Sequence, residues 1–285
     1  MEEMNHACYV FQTDSKIVKR VYKTNSNYLI EYSKDGNADT CAIYFSSNDI
    51  YYPNSEEIFT KRIVNRNFYE WYHTRINKAS KHIFLRDVFK QWYLAGINNT
   101  INSPEKLMDF LKQETKGYTT IVTLGSSAGG YAAILYGSLI GAQTVFAFNP
   151  QFEITSLLKR STESINPLVF RLRNERNTYY DIVPFINDKT EIFYFYSNHS
   201  PWDKEQYKYV KPMRNLHRIS FQSSHHGIPF LKAALPVVLN ASMKDLKNWA
   251  DKSHNPIAFT IKRIGLCKTV NGFISQIYRA YKKRK

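Results

Sequence analysis

Residues 119–137 read TTIVTLGSSAGGYAAILYG. A β-branched, apolar run over 119–124 meets Gly125-Ser126-Ser127-Ala128-Gly129, and a small-residue helical segment over 130–137 follows at once. That is strand, tight turn and helix with G-x-S-x-G at the turn, the pattern of a nucleophile elbow. The turn forces its central residue into a strained backbone conformation, and small residues two positions to either side let strand and helix approach. The helix N-terminus then presents free N–H groups beside the serine oxygen. Ser127 is the candidate nucleophile, and Ser126 beside it reads as a packing residue.

The 285 residues suit one large α/β domain carrying an insertion or an appended tail. A hydrophobic content of 43% is enough for a core of that size. The segment MEEMNHACYVF begins acidic and has no apolar h-region, so no secretory signal is expected. No run of about 18 apolar residues occurs, so no transmembrane helix is expected. Cys8, Cys41 and Cys267 lie far apart and fit neither a disulfide framework nor a zinc pattern, and no metal site is expected. A reducing cytoplasm is the simplest setting. The net charge of +15 is uneven: residues 252–285 hold nine Lys or Arg and no Asp or Glu, leaving about +6 for the rest, which is ordinary for its size.

Along the chain, CYVF, KIVKRVY and NYLIEYS read as short strands, with a hairpin turn over 34–38. TCAIYF (40–45) is a buried strand ending in Ser46-Ser47-Asn48-Asp49, and 83–85 is another, followed by Arg86-Asp87. Ser103 and Pro104 open a helix as N-cap and first residue; it runs to Lys116, and Gly117 ends it. After the elbow come a strand over 143–148 ending in Asn149-Pro150, a mixed segment over 151–185 that is a candidate lid, and a strand over 191–196. A polar helix over 204–214, a last strand over 218–221 and a helix over 229–249 opened by Pro229 complete the series. Strands alternating with helices imply a mostly parallel sheet covered on both faces. In such sheets active groups gather at the carboxyl ends of the strands. The division expected is an α/β domain over 1–250 and a basic amphipathic segment over 251–285.

An acyl-transfer serine needs a base to take its proton and an acid to orient that base. Around an elbow the chain order is Ser, then acid, then His. Strand 191–196 is followed by Asp203 and strand 218–221 by His225-His226-Gly227. Asp203 is the candidate acid and His226 the candidate base, with His225 as the alternative. Asp203 also reads as a helix N-cap before Lys204-Glu205-Gln206, while Asp188 would lie at the wrong end of its strand. An oxyanion hole needs two N–H donors. Ala128 supplies one, and Ser47 the other, with Ser46 and Asn48 as alternatives. Arg86-Asp87 reads as an internal salt bridge, and Trp92 and Tyr93 as core or pocket wall.

LGSSAGGYAAILYG resembles the elbow of α/β-hydrolases, and more narrowly that of the serine O-acetyltransferases and esterases encoded with bacterial capsule and surface-polysaccharide synthesis, whose elbows read LGSS-x-GG. The Asp203 loop and the Ser224-His225-His226 loop fall where that group keeps its acid and base. The resemblance covers roughly 40–245. It implies an α/β-hydrolase-like sheet, a covalent acyl-serine resolved by water or a sugar hydroxyl, a carbohydrate or polysaccharide substrate and, for transferases, acetyl-CoA as donor. No separate CoA motif is visible, and hydrolysis would need no cofactor.

The contrasting reading is a catalytically inactive hydrolase-like scaffold that binds a polysaccharide-synthesis complex or a membrane surface. Residues 257–285 place Ile257, Ile261, Ile264, Phe273, Ile274, Ile277 and Tyr281 among basic residues. Such a segment lies on an anionic membrane, at the inner face for a cytoplasmic protein, or packs on the body ahead of a solvated KKRK tail. Nucleic acid is not the expected partner, because no recognised motif accompanies the charge.

Overall fold

Successive residues of the central strands point alternately into two apolar layers, the period-2 signature of a sheet buried on both faces. The computed structural model describes residues 9–284, with side chains through residue 278. Eight strands form one sheet: β1 (Tyr28–Tyr32), β2 (Asn37–Phe45), β3 (Ala79–Leu85), β4 (Thr120–Ser126), β5 (Thr144–Phe148), β6 (Glu191–Ser197), β7 (Leu216–Phe221) and β8 (Lys252–His254), in the order β1-β3-β2-β4-β5-β6-β7-β8. Only β1 runs antiparallel to its neighbour.

The helices follow in chain order: α1 (Phe11–Asp14), α2 (Lys16–Thr24), α3 (Glu56–Phe59), α4 (Pro104–Glu114), α5 (Ala128–Ile140), α6 (Thr155–Arg160), α7 (Pro167–Leu172), α8 (Pro201–Tyr209), α9 (Leu235–Leu239), α10 (Met243–Trp249), α11 (Pro256–Ile264) and α12 (Leu266–Arg284). Ile43, Phe45, Val145, Ala147, Ile192 and Tyr194 face one layer, where α5 packs. Tyr44, Leu124, Phe146, Phe148, Phe193 and Phe195 face the other, which α9, α10 and α11 cover through Leu235, Trp249 and Phe259. Segment 151–185 sends Leu157, Val169 and Ile182 into the α5 layer. Arg171 ties this segment to Asp14 at 2.7 Å.

Several expectations need correction. Residues 16–22 are helical: Ile17, Val18, Val21 and Tyr22 pack together with Ile50 and Phe59. Their spacing of one, four and five residues is helical, and the β-branched content misleads. Phe11 likewise belongs to α1, while Cys8 lies outside the described residues. Residues 34–38 do not close a hairpin, because β3 inserts between β1 and β2. The reason is burial: β2 is covered over its last six residues and needs a parallel partner on each side, whereas β1 is half-exposed. The expected helix over 204–214 starts earlier, at Pro201, and stops at Tyr209. The one over 229–249 is broken, since Ser242 accepts the Asp245 N–H and starts α10 afresh. The sheet continues past residue 250 through β8, and Gly265 (φ 78°) separates α11 from α12.

Candidate active site

The elbow is built as its residue types require. Ser127 has φ 53° and ψ −122°, a conformation rare for any residue with a Cβ. Its N–H donates to Phe148 O (2.9 Å) and its carbonyl accepts from Tyr131 N (2.9 Å), which pins the turn between β5 and the first turn of α5. A Cβ at Gly125 would stand 2.0 Å from Gly129 O, and one at Gly129 2.3 Å from Phe45 O. Both positions therefore demand glycine. Ala128 opens α5, so its N–H has no acceptor within the helix. Ser126 is buried at the end of β4.

Three side chains meet above this turn. Ser127 Oγ lies 2.8 Å from His226 Nε2, and His226 Nδ1 lies 2.9 Å from Asp203 Oδ1. Asp203 accepts only a hydrogen, so Nδ1–H donates to it and the Nε2 lone pair faces the hydroxyl, which donates. The Asp203 side chain is 1% exposed and that of His226 40%, so the acid is sealed while the imidazole and serine face solvent. Asp203 is the third residue of α8, where the helix N-terminus stabilises a negative charge. The N-cap is Ser200, whose Oγ accepts the Asp203 N–H (3.4 Å). Among the described residues Asp203 Oδ2 is buried without a partner, so the bond to His226 is the one seen to orient the carboxylate.

His225 takes no part in this chain of contacts. Its ring lies against Gly227, with Nε2 3.3 Å from where a Gly227 Cβ would stand. Burial, then the charges of Lys232 and His226, lower the pKa of its imidazole.

The loop that carries His226 is held by residues the sequence reading left without a role. Asn149, fully buried at φ 42°, donates through Nδ2 to His225 O (3.3 Å) and Gly227 O (2.8 Å). Its Oδ1 accepts the Ser197 N–H (2.8 Å), and Ser197 Oγ donates to His225 O (2.6 Å). The carbonyls on either side of His226 are thus tied to the ends of β5 and β6. The visible signal was Asn149-Pro150 closing a buried strand.

The expected second oxyanion donor needs correction. Ser47 N–H is not free, because it donates to Glu70 Oε2 (2.5 Å). Burial pushes the Glu70 carboxyl above its ordinary pKa, against the pull of that hydrogen bond. Ser46 N–H donates to Leu85 O (3.1 Å), which leaves Asn48 N–H as the one in this turn without an acceptor among the described residues.

Arg86 and Asp87 do not form the expected salt bridge. Arg86 donates to Asn27 Oδ1 (3.1 Å) and lies over the Tyr69 ring. Asp87 accepts backbone N–H groups from Phe89 (3.0 Å), Gln91 (2.6 Å) and Tyr93 (2.9 Å). It thereby shapes a loop in which Lys90, Trp92 and Tyr93 all have positive φ. Trp92 and Tyr93 belong to the core, with Trp92 Nε1 donating to Gln151 Oε1 (3.2 Å).

The sheet, the elbow after a central strand and the placement of Asp203 and His226 after β6 and β7 define an α/β-hydrolase-like fold. No family model matches the sequence, and no curated protein matches it. Among solved structures it is similar to a Staphylococcus aureus Mu50 protein of unknown function, at 11% identity and a TM-score of 0.50 over 78% of this chain and 94% of that one. It is also similar to the capsule O-acetyltransferase of Neisseria meningitidis serogroup A, at 12% identity and a TM-score of 0.47 over 68% and 83% of the two chains. Esterase B from Lactobacillus rhamnosis aligns over 90% of this chain and 91% of its own, at 11% identity and a TM-score of 0.40. At these identities the likeness is one of fold.

Proposed function

We propose that the chain is a serine acyl-transfer enzyme acting on O-acyl groups of a carbohydrate, an O-acetyltransferase or esterase of surface-polysaccharide biosynthesis. The observation that carries the chemistry is the unbroken hydrogen-bonded path from Ser127 Oγ through His226 to Asp203. His226 Nε2 takes the hydroxyl proton as Oγ attacks the acyl carbonyl, and Asp203 stabilises the imidazolium that results. Ala128 N–H and the Asn48 N–H of the turn after β2 hold the oxyanion. The tetrahedral species collapses, the donor's oxygen or thiolate departs with the proton from Nε2, and an acyl-serine remains. Water or a sugar hydroxyl, deprotonated by the same nitrogen, attacks that ester, and Ser127 regains its proton.

The carbohydrate assignment rests on the LGSS-x-GG elbow. The solvent-facing His226 and Ser127 side chains support it, because a polymer cannot enter a closed pocket. In the transferase form acetyl-CoA is the donor substrate. The test supplies an O-acetylated polysaccharide alone, and separately the de-acetylated polymer with acetyl-CoA, and follows acetate release or new acetyl esters by NMR. One of the two reactions should proceed and should vanish in Ser127→Ala. Turnover of simple phenyl esters with neither polysaccharide reaction would reject the carbohydrate and keep the acyl chemistry.

A further inference from the structure

The C-terminal helix leaves an apolar face uncovered. Leu266, Val270, Phe273, Ile274 and Ile277 recur at spacings of three and four, so they share one side of α12. Each is 47–62% exposed. A different side meets the body: Thr269 is 3% exposed, and a Cβ at Gly272 would stand 2.5 Å from Ala233 Cβ. Upstream, α11 is anchored by the buried Phe259 while Ile257 on its first turn is 53% exposed. The side chain of Tyr281 lies outside the described residues.

We infer that α12, with the start of α11, is a docking surface for an anionic lipid bilayer on which the helix lies in the interfacial plane. Charge selects this occupant. Residues 252–285 carry nine Lys or Arg and no acid, and Lys262 and Lys268 are exposed, Lys268 on the side of α12 away from the stripe. A helix with one apolar face and only cationic charged residues matches acyl chains below anionic headgroups. A second copy of the chain would bring two such cationic helices together without a compensating carboxylate. Nucleic acid would have no use for five uncovered apolar side chains. Among the described residues no helix is long and apolar enough to cross a membrane, so the mode is lying on the surface. Gly265 at φ 78° gives the joint that lets α12 take a direction of its own. The helix packs on the segment that directly follows the His226 loop, through Gly272 against Ala233.

The experiment is vesicle flotation of the full chain with phosphatidylcholine alone and with phosphatidylcholine containing phosphatidylglycerol, at low and high salt. Binding to the anionic vesicles should exceed that to zwitterionic ones by about tenfold or more and fall with salt. The double variant Phe273→Ser, Ile277→Ser should lose most of it while still hydrolysing a small soluble ester, since both side chains are exposed and outside the site. Equal binding to both vesicle types, or none, would overturn the inference. So would unaltered binding by the double variant, or a dimer in light scattering that the double variant dissolves.

Discussion

Asn149 is a single buried amide that, under the proposed chemistry, acts on the reaction without touching it. It is a positioning residue: two donated bonds hold the carbonyls before and after His226, and one accepted bond anchors it to β6. Asn149→Ala should lower kcat on a small ester by about a hundredfold, the scale expected for a misplaced catalytic group, with KM little changed. Asn149→Asp keeps the acceptor for Ser197 N–H and loses both donors. It should therefore resemble the alanine variant in kcat while folding, as judged by urea unfolding. A drop in both variants confined to KM, or no drop, would contradict the role. Ser127, Asp203 and His226 were legible because each sits in a local signature: a Gly-flanked serine, an acid after one strand, a His-Gly after the next. Asn149 and Glu70 were not. Their roles exist only once distant strand ends and turns are side by side, and no local pattern encodes that meeting.

At the loop after β3, burial sets a titration rather than a contact. Lys90 is 4% exposed, donates to Asn54 Oδ1 (2.7 Å) and Tyr51 O, and lies over the Tyr51 ring. Desolvation pulls its ammonium down from 10.5 to about 7. Between those values the folded chain binds fewer protons than the unfolded one, so this group makes stability rise with pH, by up to tenfold in the unfolding constant per unit. Urea unfolding at pH 7 and pH 9 should show wild type gaining on Lys90→Met across that interval. Parallel curves for the two proteins would contradict it. The neighbouring Asp87, raised to about 6 by burial, works at lower pH: its contribution is fully present below the unfolded value of 3.8 and is lost as pH rises through 6. Among elements, the parallel core strands were plain from their β-branched and aromatic runs. The misread ones are those where composition and spacing disagree. In α2 the valines and isoleucine suggest a strand, yet they lie on one helical face. In 229–249 the alanine and leucine content suggests one helix, yet Pro236 and the Ser242 cap divide it.

In the whole molecule, the sheet order does the work of assembly. Ser127 and His226 are 99 residues apart, and parallel pairing of β4, β5, β6 and β7 brings their loops to one edge. The N-terminal helices, the 151–185 segment and the C-terminal helix supply none of the three side chains. The central claim is that Ser127 is an activated nucleophile. A fluorophosphonate reagent followed by peptide mass spectrometry tests it most directly. The account predicts one adduct per chain, on the peptide containing Ser127, abolished in Ser127→Ala and slowed by about a thousandfold or more in His226→Ala. A folded wild-type chain that forms no adduct at Ser127, or labels as fast without His226, would contradict it.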